Sequence, residues 1–354
     1  MTIKTNPGNF FEDFSIGQVL RHATPRTVTS GDGALYTALY GSRFAVQSSD
    51  AFARALGYAH APVDDLLVFH IVFGKTVPDI SLNAVANLGY AECRFLAPVY
   101  PGDTLSSQSE VLGLRELSNG KAGVVYVRTT GVNQHDDKVL EYVRWVMVRK
   151  RDAASAAPEA SIPHLHKALE PVQLGDAVPL LNTGSYDTWA AGSGDLWDDY
   201  APGERIDHVD GMTVEEAEHM LATRLYQNTA KVHFNQYEQA ADRFGRRLIY
   251  GGHVISLARA LSFNGLANAF HIAAINAGRH VAPLFAGDTV YAWSEILDKQ
   301  VLEGRDDVGA LRIRTFATKD LPCADFPGAT EDGHEEGVIL DLDYWALMPR
   351  LAAD

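Results

Sequence analysis

Cysteine is scarce in this chain. The 354 residues include two cysteines, Cys93 and Cys323. Two thiols are too few for a disulfide framework or for a thiolate zinc site, so both kinds of structural support are excluded. We therefore expect no metal and no disulfide-stabilised scaffold.

Basic side chains and long apolar runs are also scarce. Lysine and arginine number 30 against 45 acidic residues, which gives a formal net charge of −15. A surface with this charge repels nucleic acid and anionic membranes. The sequence has no apolar run of about 18 residues, and its first residues lack the apolar core of a secretory signal. We expect a cytoplasmic protein without nucleic-acid or membrane partners.

What the chain does contain is an internal repeat. Residues 11–47 and 197–233 align without a gap at a shift of 186, and 10 of these 37 positions are identical. Unrelated segments of this length share about two identities. Further on, the Gly-Asp-Thr triplets at 102–104 and 287–289 align at a shift of 185. The sequence therefore predicts one kind of domain present twice.

Each copy has the same predicted order of elements. A short amphipathic helix precedes a strongly apolar helix, at about 65–77 in the first copy and 254–266 in the second. Four or five strands with period-two alternation complete each copy. This order predicts an α+β fold in which an antiparallel sheet wraps around a buried helix. We place the first unit at residues 1–152, an Ala, Ser and Pro-rich linker at 153–195, and the second unit at 196–354.

The segment after the first helix differs between the units in residues that carry chemistry. It reads Tyr-Gly-Ser-Arg-Phe-Ala-Val-Gln at 40–47 and Tyr-Gln-Asn-Thr-Ala-Lys-Val-His at 226–233. The second version, followed by Phe-Gly-Arg-Arg-Leu-Ile-Tyr-Gly at 244–251, resembles the motif of the MaoC-like (R)-specific enoyl-CoA hydratases. Their motif is Gly-Asp-x-Asn-Pro-x-His, followed by Phe-Gly-Arg-Pro-Ile-Ala-His-Gly at the start of the central helix. The resemblance covers nearly the whole chain as two units of the hotdog fold.

The resemblance implies an activity and a partner. Members of the family add water reversibly to 2-enoyl-CoA thioesters, so the expected protein is a hydro-lyase that acts on a CoA thioester without a metal or redox cofactor. Two hotdog units in one chain already form the pseudo-dimer of the family. A further homodimer is expected from the resemblance.

The resemblance also places the catalytic residues. His233 falls on the motif histidine and Asn228 on the motif aspartate, whereas the first unit has Gln47 and Ser42 at these positions. An amide can orient a water molecule but cannot take its proton. Either His233 alone moves the proton, or a carboxylate from the first unit, Asp64 or Asp65, partners it.

Two features of these assignments have simpler explanations. Asp64 and Asp65 begin the first apolar helix, where carboxylates cap the helix and complement its dipole. Gly251 and Gly252 begin the second apolar helix, and their backbone N–H groups are candidates for stabilising the enolate oxygen of the thioester. Paired glycines also occur simply to make a turn.

By resemblance, the acyl-pantetheine arm passes between the units along the strand after the first apolar helix. Small residues suit such a tunnel, although a plain sheet edge uses the same residue types. The candidate lining residues are His60, Ala61, Pro62, Val63, Asp64, Ala86, Asn87, Leu88, Gly89, Ala97, Pro98 and Val99.

The whole-chain pattern is similar to a branch of the family whose substrate carries a free carboxylate, which requires a cation nearby. Lys231 lies two residues before His233 and is the first candidate, followed by Arg43 and Arg94. Each of them could equally form a surface ion pair. Two rival functions are an acyl-CoA thioesterase on the same fold and a non-catalytic acyl-CoA-binding scaffold.

Overall fold

One continuous antiparallel sheet spans both units of the protein. The computed structural model describes residues 4–350, and its ten strands follow the order β1-β3-β4-β5-β2-β7-β10-β9-β8-β6. The strands are β1 Val19–Thr27, β2 Ala84–Phe95, β3 Thr104–Glu116, β4 Ala122–Val132, β5 Lys138–Arg149, β6 Arg205–Thr213, β7 His271–His280, β8 Thr289–Val301, β9 Val308–Lys319 and β10 Val338–Pro349.

The helices follow the same order in the two units. They are α1 Ser30–Tyr40, α2 Ala45–Ser48, α3 Asp50–Ala55, α4 Asp65–Thr76, α5 Thr188–Ala191, α6 Glu216–Leu225, α7 Lys231–Phe234, α8 Gln236–Gln239, α9 Gly251–Leu261 and α10 Phe263–Leu266. A π-helical segment, Val77–Ser81, extends α4. The long helices α4 and α9 are the predicted apolar helices.

A pseudo-twofold axis relates the units. It passes between β2 and β7, which pair antiparallel at the centre of the sheet. Residues 186 positions apart in the sequence meet each other across it. The hydroxyls of Tyr40 and Tyr226 are 2.6 Å apart, and His70 Nε2 lies 2.9 Å from Ser256 Oγ. The predicted α+β fold with two hotdog units is confirmed.

Apolar composition explains why α4 lies at the centre of the first unit. Every residue from Leu66 to Thr76 is buried, because the sheet curves around one side of the helix and α9 covers the other. Asp64 caps its start by accepting the Leu66 N–H at 2.9 Å. The second helix begins three residues before the predicted position and ends earlier, since Asn264 and Gly265 depart from helical geometry.

The segment between the units packs on the outer face of the sheet. Backbone N–H groups of Leu169 and Leu181 donate to Asn276 Oδ1 and Asp307 Oδ2 at 2.9 and 2.7 Å. Its leucines join an apolar cluster with Trp345. The Ala, Ser and Pro-rich composition at 153–163 predicts a linker, and the chain beyond it is ordered by these contacts.

Candidate active site

His233 lies beside the start of α9, on the short helix α7. Its Nδ1 donates to the Leu248 carbonyl oxygen at 2.8 Å, which orients the ring. This hydrogen bond makes Nε2 the unprotonated nitrogen of the neutral ring. The Tyr250 ring is 5.5 Å away and the His219 ring 6.1 Å away, at right angles. We call this neighbourhood, made of Asn228, His233 and residues 250–252, the His233 end.

His233 and the two histidines next to the His233 end, His219 and His280, are held in the neutral form. Burial lowers the pKa of His233 to about 4, although part of its surface is accessible. Burial likewise lowers the pKa of His280 to about 4 and that of His219 still further. A neutral imidazole with one free nitrogen can accept a proton at neutral pH.

Asn228 is almost completely buried in the turn that leads to α7. Its Oδ1 accepts the Ala230 N–H at 3.2 Å, and its own backbone N–H donates to the Thr223 carbonyl oxygen. With its oxygen used in this way, the amide nitrogen is the group that can donate to a ligand. The short side chain of Asn228 lets its oxygen reach the N–H two residues later in the turn.

Gly251 and Gly252 are required by close approach of aromatic rings. A Cβ atom on Gly251 would lie 2.4 Å from His280 Cε1, and one on Gly252 would lie 2.4 Å from Tyr250 Cε1. The first N–H groups of a helix have no acceptor within that helix. The Gly251 and Gly252 N–H groups occupy these first positions of α9, next to the Tyr250 N–H that His219 Nε2 accepts at 2.9 Å. Their role as an oxyanion site remains a prediction.

The predicted partnership of Asp64 or Asp65 with His233 is wrong. Both carboxylates lie at the start of α4, whereas the end of α4 lies beside the His233 end: a Cβ on Gly74 would be 1.8 Å from the Tyr226 carbonyl oxygen. The nine residues from Asp65 to Gly74 span about 14 Å of helix. The pseudo-twofold axis therefore places the two groups at opposite ends of the helix pair.

Asp65 does pair with a histidine of the second unit, but with His271. Its Oδ1 is 2.9 Å from His271 Nδ1, and its Oδ2 accepts the Ile272 N–H at 2.8 Å. Burial, followed by the neighbouring Asp65, raises the pKa of Asp64 to about 6. We call Gln47, Asp64, Asp65 and His271 the Asp65 end. His271 carries no signal in the sequence, because no motif marks the first residue of β7.

Most of the predicted tunnel residues lie at the Asp65 end. A cavity of about 10 Å³ lies there, beside Gln47 and His271, with room for about one water molecule. Five predicted residues line it: Pro62, Val63, Ala97, Pro98 and Val99. Ala61 donates its N–H to Asp50, and the His60 ring is 6.3 Å from that of Tyr100.

The remaining predicted tunnel residues, 86–89, lie on β2. Gly89 allows the Trp145 side chain to approach, since a Cβ there would be 2.4 Å from Trp145 Cζ2. Both polar side-chain atoms of Asn87 are buried without a hydrogen-bond partner in the part of the chain that the structure describes. Ala86 and Leu88 flank it on the same strand. Only Asn87 in this group has a polar side chain available to a ligand.

Each of the three predicted cations has a partner within the protein, and their binding of the substrate carboxylate stays a prediction. Lys231 of α7 is exposed, and its Nζ lies 3.3 Å from Glu238 Oε2 of α8. Arg43 is exposed and stacks over Phe263 at 4.9 Å. Arg94 pairs with Glu141 at 3.2 Å. Acidic or aromatic neighbours explain all three positions.

Among residues 4–350, no group of three or more His, Cys, Asp or Glu side chains is arranged to hold a metal ion. No helix in the same range is long and apolar enough to cross a membrane.

The fold and the histidine-lined helix start together define a double-hotdog protein of the MaoC type. A solved structure described as a putative MaoC domain protein dehydratase of Chloroflexus aurantiacus superposes with a TM-score of 0.96 at 64% identity, over 99% of this chain and 100% of that one. A Mycobacterium tuberculosis protein with a double hotdog fold superposes with a TM-score of 0.74 at 24% identity, over 97% and 99% of the two chains.

The chain belongs to the mesaconyl-CoA hydratase family, whose profile matches residues 2–324. It is 64% identical over 352 residues to the β-methylmalyl-CoA dehydratase of Chloroflexus aurantiacus, covering 99% of each chain. It is 61% identical over 351 residues to the mesaconyl-CoA hydratase of Cereibacter sphaeroides, covering 98% of this chain and 100% of that one. The predicted resemblance to enoyl-CoA hydratases is confirmed at the level of the family.

Proposed function

We propose that this protein is a hydro-lyase that adds water reversibly to the C=C bond of mesaconyl-CoA and forms β-methylmalyl-CoA. The names of relatives more than 60% identical over the full chain support this substrate and product. The observation that carries the proposal within the structure is a neutral His233, with its free nitrogen fixed, at the start of a helix.

His233 acts as general base and then as general acid. Its Nε2 takes one proton from water while the hydroxyl oxygen bonds to the β-carbon and the C=C electrons move toward the thioester carbonyl. The imidazolium then returns that proton to the α-carbon. A pKa of about 4 makes the imidazolium a strong proton donor, so the second step is favoured.

Two neutral groups position the reactants around His233. The amide nitrogen of Asn228 donates to the water oxygen, since the side-chain oxygen is already bonded to the Ala230 N–H. The N–H groups of Gly251 and Gly252 donate to the enolate oxygen that forms on the thioester. The positive end of the α9 dipole adds to the stabilisation of this charge.

The test separates addition to the C=C bond from attack on the thioester. Purified protein is mixed with mesaconyl-CoA, and the enoyl-thioester absorbance and the free thiol are followed together. The proposal expects loss of absorbance without thiol release, and a rise in absorbance when β-methylmalyl-CoA is supplied instead. Thiol release would identify a thioesterase, and binding without either change would identify a scaffold.

A further inference from the structure

Arg144 is a fully buried cation that has no acidic partner among residues 4–350. It lies on β5 with an exposed fraction of 0%, and it is the largest of the fully buried side chains. Its Nη2 donates to Thr76 Oγ1 at 2.8 Å and to Ser81 Oγ at 3.3 Å. Nε and Nη1 have no hydrogen-bond partner within residues 4–350. Three N–H protons of a buried guanidinium are therefore without an acceptor.

The surroundings of Arg144 are aromatic and polar but not acidic. Its guanidinium carbon lies 4.2 Å above the Phe73 ring of α4, and Tyr90 stands opposite it on β2. Tyr142, two residues earlier on the same face of β5, has a buried hydroxyl without a partner in the described chain. A buried charge is normally matched by a counter-charge. Within residues 4–350, the guanidinium therefore has free donors for an anion and no acidic side chain against it.

The aromatic surroundings of Arg144 adjoin the His233 end. The Phe73 ring beneath Arg144 is 5.6 Å from the Tyr250 ring, which is 5.5 Å from the His233 ring. On the other side, the Tyr90 hydroxyl is 3.4 Å from Nε2 of the histidine at 280, whose ring packs on the first residue of α9. Two successive aromatic rings, Phe73 and Tyr250, therefore connect the cation to the proposed acid/base.

We propose that Arg144 binds the free carboxylate of the substrate and selects dicarboxylic enoyl thioesters. This inference rests on the proposed function. In mesaconyl-CoA the second carboxylate is attached to the β-carbon, the atom that receives the hydroxyl, so its cation must lie close to the acid/base. Arg144 is connected to the His233 end through the Phe73 and Tyr250 rings, whereas Lys231, Arg43 and Arg94 are engaged by other partners.

The experiment compares two substrates that differ only at the anionic group. In (E)-2-methyl-2-butenoyl-CoA a methyl group replaces the carboxylate of mesaconyl-CoA. For Arg144→Met, kcat/KM with mesaconyl-CoA should fall by about 10²- to 10³-fold, since a buried charge loses its partner. With the methyl analogue, kcat/KM should change by less than about threefold, since no interaction with the substrate is lost. Equal losses with both substrates would overturn the proposal and assign Arg144 a structural role.

A matched control and a second variant guard against loss of the fold. Arg128 lies on the neighbouring strand β4 and pairs with Glu92 at 3.2 Å, so Arg128→Met should leave both rates unchanged. Arg144→Lys keeps the positive charge but lacks the planar guanidinium that can donate two parallel hydrogen bonds to a carboxylate. It should retain more activity with mesaconyl-CoA than Arg144→Met, and equal activity of the two variants would contradict carboxylate binding.

A binding measurement separates this proposal from the proposed function. Methylsuccinyl-CoA and 2-methylbutanoyl-CoA lack the C=C bond and cannot be hydrated. By calorimetry, Arg144→Met should weaken binding of the dicarboxylic ester by about 10²-fold and leave the other unchanged. If the wild-type protein hydrates neither enoyl ester, the proposed function fails, and this binding ratio still decides the role of Arg144. No preference for the dicarboxylic ester in the wild type would overturn it.

Discussion

The two ends of the helix pair occupy equivalent positions in the repeat but hold different chemistry. At the His233 end a helix begins with Gly251, and at the Asp65 end the equivalent residue is an aspartate. Gln47 stands where the second unit has His233. The carboxylate of Asp65 is bound by His271 and by a backbone N–H, beside a cavity with room for one water molecule. The His233 end has a neutral imidazole with a free nitrogen, whereas the carboxylate of the Asp65 end already has two hydrogen-bond donors.

The first unit lacks a histidine at the position of His233, but it has a buried arginine that the second unit lacks. Its sheet carries Arg144 in the segment Tyr-Val-Arg-Trp, and the similar segment Leu-Asp-Tyr-Trp of the second unit has Tyr344 there. Tyr344 is buried and lies within 3.3 Å of Thr315 Oγ1. The two proposed functional groups thus lie in different units, the acid/base in the second and the anion-binding cation in the first.

Exchanging the residues that distinguish the two ends should have the largest effect. His233→Gln gives the second unit the residue of the first and removes the proposed acid/base. We expect kcat/KM for mesaconyl-CoA to fall by about 10²- to 10⁴-fold, the usual contribution of such a group. The measurement is the initial rate of absorbance loss with purified variant.

The reciprocal change is the control. Gln47→His places an imidazole at the Asp65 end, where the helix starts with a carboxylate already bonded to His271. We expect the activity of the wild type and no rescue when it is combined with His233→Gln. Activity of His233→Gln within about threefold of the wild type would contradict the assignment of His233.

The pH dependence should be that of a histidine with a low pKa. His233 must be neutral to take a proton, and its pKa of about 4 keeps it neutral well below physiological pH. We expect kcat/KM to be flat from about pH 5.5 to 7 and to fall about tenfold per unit below pH 4. An inflection near the ordinary histidine pKa of about 6.5 would contradict this.

Acid unfolding must be followed alongside that profile. Burial lowers the pKa values of His70 and His253 to about 3, whereas unfolded histidines titrate near pH 6.5. The unfolded chain therefore binds more protons between these values, and the free energy of unfolding falls as the pH is lowered through this window. Circular dichroism at each pH separates loss of fold from titration of the active site.

Removing the carboxylate at the Asp65 end should affect stability and not catalysis. Asp65→Asn leaves one acceptor in place of two for the donors at His271 and Ile272. We expect the free energy of unfolding to fall by about 1–3 kcal/mol, measured by urea denaturation. Its kcat should stay within about twofold of the wild type. A loss of 10²-fold or more would show that Asp65 takes part in catalysis.

The sequence was sufficient for the fold, whereas the catalytic roles of His233 and Asn228 stay predictions. The repeat predicted two equivalent units, and the apolar runs predicted α4 and α9 to within a few residues. The predicted pairing of Asp65 with His233 was wrong because it depends on how α4 and α9 are oriented relative to each other. This orientation leaves no local pattern in the sequence. Arg144 was overlooked because an arginine within an alternating strand normally faces solvent. Its burial depends on α4 covering that face of the sheet, a long-range contact.

The smallest predicted effect concerns a feature that both units have kept. Ser109 Oγ links a buried histidine of β1 to Thr129, and Ser294 Oγ links a buried histidine of β6 to Thr315, all at 2.8 Å. Ser109→Ala and Ser294→Ala should each lower the free energy of unfolding by about 1–2 kcal/mol, since each breaks two buried hydrogen bonds. The losses should add in the double variant, because the sites lie at opposite ends of the sheet. If only Ser294→Ala destabilises the protein, the first unit has lost structural as well as catalytic constraint.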